Sequence, residues 1–262
     1  MIVPFDQVAY VDFETFFDSE YTLKKLPMTE YIRDERFEAQ TCAIKLGDAP
    51  AEAYVGADEI RGALCAIDWS RTAFCAHHTQ FDGLIATHHC GVYPAFWLDT
   101  LSMARLIYGV DASHALGPLC ERLGRPGKVH GQALKTVQGT RLKEMPIEWK
   151  SGLIEYNKDD AEDTAFVFSK LQPFVPEEEL RIIDMTIRMY VEPVLLINKG
   201  RVQRAFEAER ERKAALYLSA GLDVKEMASP DKFAAHLKGL GVEPPTKISL
   251  RTQKRAWAFS KQ

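Results

Sequence analysis

Two acidic residues near the amino terminus, Asp12 and Glu14, lie two positions apart in the run Val11-Asp12-Phe13-Glu14-Thr15. Residues 7–16 are rich in β-branched and aromatic side chains and precede a polar stretch, so a strand is expected there. Residues two apart in a strand share a face, so both carboxylates would project together while Val11 and Phe13 point the other way. Two acids side by side on an apolar strand repel one another unless a cation neutralises them. Oxygen-only ligands of this kind suit Mg²⁺ or Mn²⁺. Taken alone, the pair is a weak signal, and a strand end that reaches solvent is the commoner origin of such a pair.

Further acids stand in two other places. Asp82 closes the run His77-His78-Thr79-Gln80-Phe81-Asp82, between an expected strand at 72–76 and an expected helix at 82–90. An aspartate there can cap the helix, and it can also face a metal. Tyr156 and Asp160 sit four apart in a helix expected over 151–171, which puts them on one face with Thr164 a turn beyond. Asp159 points about 100° away from them. Asp159, Glu162 and Asp163 suit a solvated acidic face.

The elements that must position these groups follow from periodicity and punctuation. Residues 40–46 and 52–55 are expected as strands around the turn at 47–50, continuing an antiparallel meander from the first strand. Expected helices at 58–66, 82–90 and 100–107 then alternate with short strands at 72–76 and 96–98, which implies an α/β layered domain. Beyond Pro173 and Pro176 the spacing is helical through 177–192, 201–220 and 230–239, with no strand candidate before residue 247. The chain is therefore expected to divide into residues 1–174 and an extension, 175–262, whose apolar inventory is thin for a core of its own.

The 262 residues are 46% apolar and 27% charged, with a net charge of −4, which excludes a polybasic nucleic-acid binder. Six cations are nevertheless concentrated in residues 238–262, against the single acid Glu243. Five cysteines, without a C-x-x-C pair and without a cleavable signal at the amino terminus, predict reduced thiols. No apolar run approaches the ~18–20 residues of a membrane-spanning helix, so neither a membrane nor secretion is expected. Cys75, His77, His78, His88, His89 and Cys90 form a Cys/His-rich stretch, but its adjacent pairs would point in different directions, so zinc is not expected. No phosphate loop or dinucleotide fingerprint is present.

An early strand D-x-E, a mid-chain (Asn or His)-x-x-Phe-Asp at a strand-to-helix junction and a late helical Tyr-x-x-x-Asp resemble the three motifs of the DEDD 3′→5′ exonucleases. Asp99-Thr100 is a further landmark in the family's order, and the match spans roughly residues 7–172. The resemblance implies an α/β, ribonuclease-H-like exonuclease fold, with a mixed central sheet flanked by helices and followed by a mainly helical carboxy-terminal extension. Tyr156 places the chain with the tyrosine-type subgroup, since Glu155 stands where the histidine type would carry His. By the same resemblance Asp12, Glu14, Asp82, Tyr156 and Asp160 are catalytic. The four carboxylates would hold two divalent cations, Mg²⁺ or Mn²⁺, and Tyr156 would orient the attacking water. The chain departs from the family at His78, which occupies a position usually held by an Asn that is not a metal ligand.

Residues 192–202, 229–233, 240–247, 251–252 and 256–261 resemble the opening of the polymerase region in phage family A DNA polymerases. That implies DNA with a single-stranded or frayed 3′ end as substrate, and proofreading for a polymerase continued or encoded elsewhere. The setting would be cytoplasmic, a bacterial host's cytoplasm if the chain is phage-encoded. His78, Phe81, Lys254, Arg255 and Trp257 are candidate nucleic-acid contacts, although the basic tail is equally compatible with a solvated surface. Two other readings of the same fold stay open: a non-catalytic DNA-binding or polymerase-docking module, and an RNA-trimming exonuclease.

Overall fold

The computed structural model describes residues 5–125, 132–219, 221, 227–249 and 253–259. Arg251, Thr252, Ser260 and Lys261, drawn on above, lie outside the described residues. Five strands, β1 (Gln7–Thr15), β2 (Ala39–Leu46), β3 (Glu52–Val55), β4 (Thr72–Ala76) and β5 (Phe96–Asp99), form one sheet in the order β3-β2-β1-β4-β5. The β3-β2-β1 side is the expected antiparallel meander, and β4 and β5 add in parallel beyond β1. β4 is buried along its whole length, as a parallel strand covered on both faces must be, so its sequence shows an apolar run and no alternation.

Alternation in β1 assigns the two faces. Ala9, Val11 and Phe13 are buried on one side, where Phe13 shares a cavity with Ile60 of α2 (Ala57–Cys65) and Ile85 of α3 (Thr79–Cys90). Tyr10, Asp12 and Glu14 face the other way, toward the long helix Ile147–Leu171, and the Tyr10 ring lies 5.7 Å from Phe168 of that helix. Ala161 of the same helix is fully buried against Ala43 and Ala51, and side chains this small let the helix lie close to the sheet. The remaining helices of this part are α1 (Met28–Arg33), α4 (Thr100–Tyr108), α5 (Leu116–Arg122) and α6 (Gln132–Val137), so the long helix is α7.

Two boundaries differ from the sequence expectation by three residues or more. α3 begins at Thr79 rather than at residue 82, and α7 begins at Ile147 rather than at 151. Pro146 is the N-cap of α7, and its carbonyl accepts Lys150 N at 3.0 Å. The early start of α3 is set by Asp99, as described below.

The helix α8 (Glu177–Val191), placed with the extension by the proline break, packs onto the sheet instead. It buries Leu180, Ile183, Ile187 and Val191. Its Asp184 Oδ1 accepts the backbone N–H of Trp97 at 2.8 Å, and Glu192 Oε1 accepts the Trp97 indole N–H at 2.8 Å. The helix thereby covers the edge strand β5. Gly83 makes the close fit possible, because a Cβ there would lie 2.9 Å from Trp97 Cζ3 and 3.3 Å from Val191 Cγ1. Two compact units result, Met1–Val194 and Leu195–Gln262. Prolines at 173 and 176 interrupt helical spacing, but they do not interrupt the core.

The second unit contains α9 (Lys199–Ser219), which has no buried residue, a helix Pro230–Gly239, and an antiparallel ribbon of Thr246–Ile248 with Arg255–Trp257. Among the described residues no helix is long and apolar enough to cross a membrane. A polypeptide ending at Val194 should unfold cooperatively in urea with Trp97 buried. One ending at residue 174 should lose several kcal/mol, from four buried apolar side chains at about 1.5–3 kcal/mol each. Urea titration followed by tryptophan fluorescence measures the difference, and equal midpoints would refute the role given to α8.

Candidate active site

The acids singled out in the sequence meet where β1 faces α7. Carboxylate oxygens of Asp12, Glu14 and Asp160 all lie within 4.8 Å of one another, with Asp12 and Glu14 half-buried and Asp160 buried. This is the only group of three or more potential metal-ligating acid, His or Cys side chains found among the described residues. Alternation in β1 supplies the first two, and the helical face that carries Tyr156 and Asp160 supplies the third.

Crowding shifts their protonation. Burial first, and then the Asp160 charge, push the Asp12 carboxyl up to about 7, against the opposing effect of a hydrogen bond from Asn157. Glu14 is pushed well above the ordinary carboxylate range by burial and by Asp12, Asp160 and Asp82. Tyr156 is half-buried beside them, and burial, the Asp160 and Glu14 charges and a hydrogen bond to Asp160 raise its phenol further. The phenol therefore keeps its proton at neutral pH.

Asp82 belongs to the same neighbourhood without joining the trio. It lies within the first turn of α3, whose N-cap is His78, so its carboxylate does not cap the helix. Its Oδ1 instead accepts the Phe13 N–H at 3.0 Å, beyond the last β1/β4 pair, Tyr10 with Cys75. Where β4 leaves off, a helix side chain takes the strand's donor. Burial and then Asp12 raise the Asp82 carboxyl well above its ordinary value.

His78 has φ 84° and ψ 54°, the left-handed region. Among residues with a Cβ, Asn, Asp and His enter that region most readily. A His at this position is thus accounted for by backbone geometry. Asp99 fixes the turn: its Oδ1 accepts His78 N at 2.8 Å and Thr79 N at 3.0 Å, and its Oδ2 accepts Ser102 N at 3.0 Å while capping α4. The sequence marked Asp99 as a landmark; its work is to aim the helix that carries Asp82.

The other candidates are distributed. Phe81 is half-buried, its ring 6.3 Å from Tyr31, in an aromatic cluster where Tyr31 stacks on Tyr21 at 4.3 Å. In the second unit Trp257 donates its indole N–H to Asp231 at 2.7 Å beneath the Lys238 ammonium, and Arg255 bonds Thr246 Oγ1. Lys254 and Arg255 are exposed. The Cys/His-rich stretch is dispersed: Cys75 is buried in β4, His77 bonds Thr100 Oγ1 and the His114 carbonyl, and His89 bonds the Ile32 carbonyl.

Asn157 was not anticipated. It is buried and donates to both the carbonyl and the carboxylate of Asp12. Its place one turn before Asp160 on the same helix was the available signal. The donor set fits a hard divalent cation, being oxygen-only and crowded with like charge.

No family model matches the chain, and no curated protein matches it. Solved structures do. The apo form of a nuclease is 15% identical, covering 72% of this chain and 83% of its own, with a TM-score of 0.52. Brucella melitensis NrnC is 16% identical over 71% and 82%, with a TM-score of 0.52. Trypanosoma brucei RNase D in complex with RNA U12 is 12% identical over 74% and 66%, with a TM-score of 0.50. The architecture is thus the ribonuclease-H-like exonuclease fold, a mixed sheet flanked by helices with a helical carboxy-terminal part.

A raised carboxyl pKa means that the folded state holds its proton more tightly than the unfolded chain. Stability in EDTA should therefore fall as pH rises from about 4 through 7, the span between the ordinary Asp value and that of Asp12. Mn²⁺ should raise the melting temperature more at pH 8 than at pH 5. Differential scanning fluorimetry tests both, and a Mn²⁺ shift independent of pH would contradict the assignment.

Proposed function

We propose that the protein is a metal-dependent 3′→5′ exonuclease that hydrolyses the terminal phosphodiester of a nucleic-acid strand. The observation that carries this reading is the convergence of Asp12, Glu14 and Asp160 from two elements, with Tyr156 against them. Three acids held this close cost stability unless their charge has a use. A module that only binds DNA or docks to a polymerase has no need of them.

Asp12, Glu14, Asp160 and Asp82 would hold two divalent cations, Mg²⁺ or Mn²⁺. Such ions supply a water of lowered pKa and offset the charge that grows on the phosphate. Tyr156, kept protonated and hydrogen-bonded to Asp160, would orient the attacking water through its phenol oxygen; holding its own proton, it would not serve as the base. Asp82, fastened to the Phe13 N–H by one oxygen, has its other oxygen for the site. Asp12 would hold a cation together with Glu14 of its own strand and Asp160 of α7.

The substrate we assign is DNA with a single-stranded or frayed 3′ end, because segments between residues 192 and 261 (192–202, 229–233, 240–247, 251–252 and 256–261) resemble the opening of a phage family A polymerase. Proofreading for a polymerase polypeptide is the corresponding role. An RNA-trimming activity is the second reading, supported by the likeness to an RNase D solved with RNA.

Matched 5′-labelled DNA and RNA oligonucleotides separate these readings. Stepwise shortening in Mg²⁺ or Mn²⁺ and none in EDTA is expected, faster on DNA. Asp12→Ala and Asp160→Ala should lower the rate by at least about 10³-fold, and Tyr156→Phe by about 10- to 100-fold. An Asp12→Ala protein as active as wild type would sink the proposal.

A further inference from the structure

Asn157 follows Tyr156 and lies one turn before Asp160 on α7, fully buried. Its Nδ2 donates to the Asp12 carbonyl at 2.9 Å and to Asp12 Oδ2 at 2.6 Å. The Asp12 carbonyl is a pure acceptor, so only the nitrogen of the amide can face it. The opposite end, Oδ1, is buried without a hydrogen-bond partner among the described residues. Buried polar atoms are rarely left so, and a residue retained merely to pack α7 on β1 would be apolar.

We infer that Asn157 is a positioning residue that pins the Asp12 carboxylate in one orientation and ties it to the helical turn carrying Asp160, presetting the two acids as a ligand pair. The inference rests on the metal-site reading above. A carboxamide suits the task because it offers two N–H groups without charge. A Lys or Arg would compete with the cation for the carboxylates, and an Asp or Glu would add to the repulsion. With Oδ2 engaged, Asp12 would offer its other oxygen to a cation. The adjoining N–H of the same peptide unit, that of Phe13, is held by Asp82. Two helices thus grip one peptide, and the strand cannot shift without disturbing both.

Partners of this kind outside the ligand set typically change metal affinity 10- to 100-fold. The test is calorimetric Mn²⁺ titration of the full chain as wild type, Asn157→Leu, Asn157→Ser and Asp12→Asn, with thermal melts in EDTA to establish folding. Asn157→Leu keeps the branching and the number of side-chain heavy atoms and removes both hydrogen bonds. It should melt in EDTA at or near the wild-type temperature and bind Mn²⁺ about 10- to 100-fold more weakly. Should Leu prevent folding, Asn157→Ser removes the reach of the donor with a smaller side chain and gives the same readout. A folded Asn157 variant binding Mn²⁺ within about twofold of wild type overturns the positioning role. Equal Mn²⁺ binding by wild type and Asp12→Asn overturns the metal site itself, and it does so without reference to Asn157.

Discussion

Mutual repulsion among Asp12, Glu14 and Asp160 is the constraint around which the first unit is arranged. Like charges within 4.8 Å in a half-buried cleft would drive the side chains apart if their backbones were free to yield. They are not free. β1 is hydrogen-bonded to β2 along its length, from Ala9 with Leu46 to Thr15 with Ala39, and α7 is seated on the sheet through Ala161 and Phe168. The energy of core packing is in this way stored as electrostatic tension at one place, where a divalent cation can relieve it. Perturbed carboxylates at functional sites commonly have this origin.

The neighbouring turn is organised by hydrogen bonds, without any ion. Asp99 gathers the first N–H groups of α3 and caps α4 with its other oxygen, so two helices start from one carboxylate. The left-handed backbone at His78 lets α3 begin immediately after β4 and brings Asp82 onto the exposed end of β1. Farther off, α8 takes up the edge donor of Trp97 and its indole N–H, which holds β5 and hence Asp99 in place. A residue as remote as Gly83 therefore bears on the site through the fit of Trp97.

Substrate choice lies with surfaces rather than with the acids. The carboxylate arrangement suits DNA and RNA alike, because both offer the same phosphodiester. In the second unit, the exposed Lys254 and Arg255 accompany a tryptophan whose ring is already occupied by Asp231 and Lys238. The indole N–H and one ring face of Trp257 are therefore taken up within the unit, while Lys254 and Arg255 stay exposed.

Local periodicity made much of this legible in the sequence. Asp12 and Glu14 share a face because strands repeat every two residues, and Tyr156 and Asp160 share one because helices repeat near every four. The meander, the buried apolar β4 and the helices between them followed from the same rules. What spacing could not reveal depended on contacts between distant segments. The start of α3 was set by Asp99 some twenty positions away, the attachment of α8 by Trp97, and the placing of Asn157 by a strand 145 positions earlier. A proline break ends a helix, but only packing decides which core the next helix joins. The residue types fixed the chemistry that is possible; the tertiary structure alone decided which acids meet, because their repulsion is overcome only by the whole core holding two backbones together.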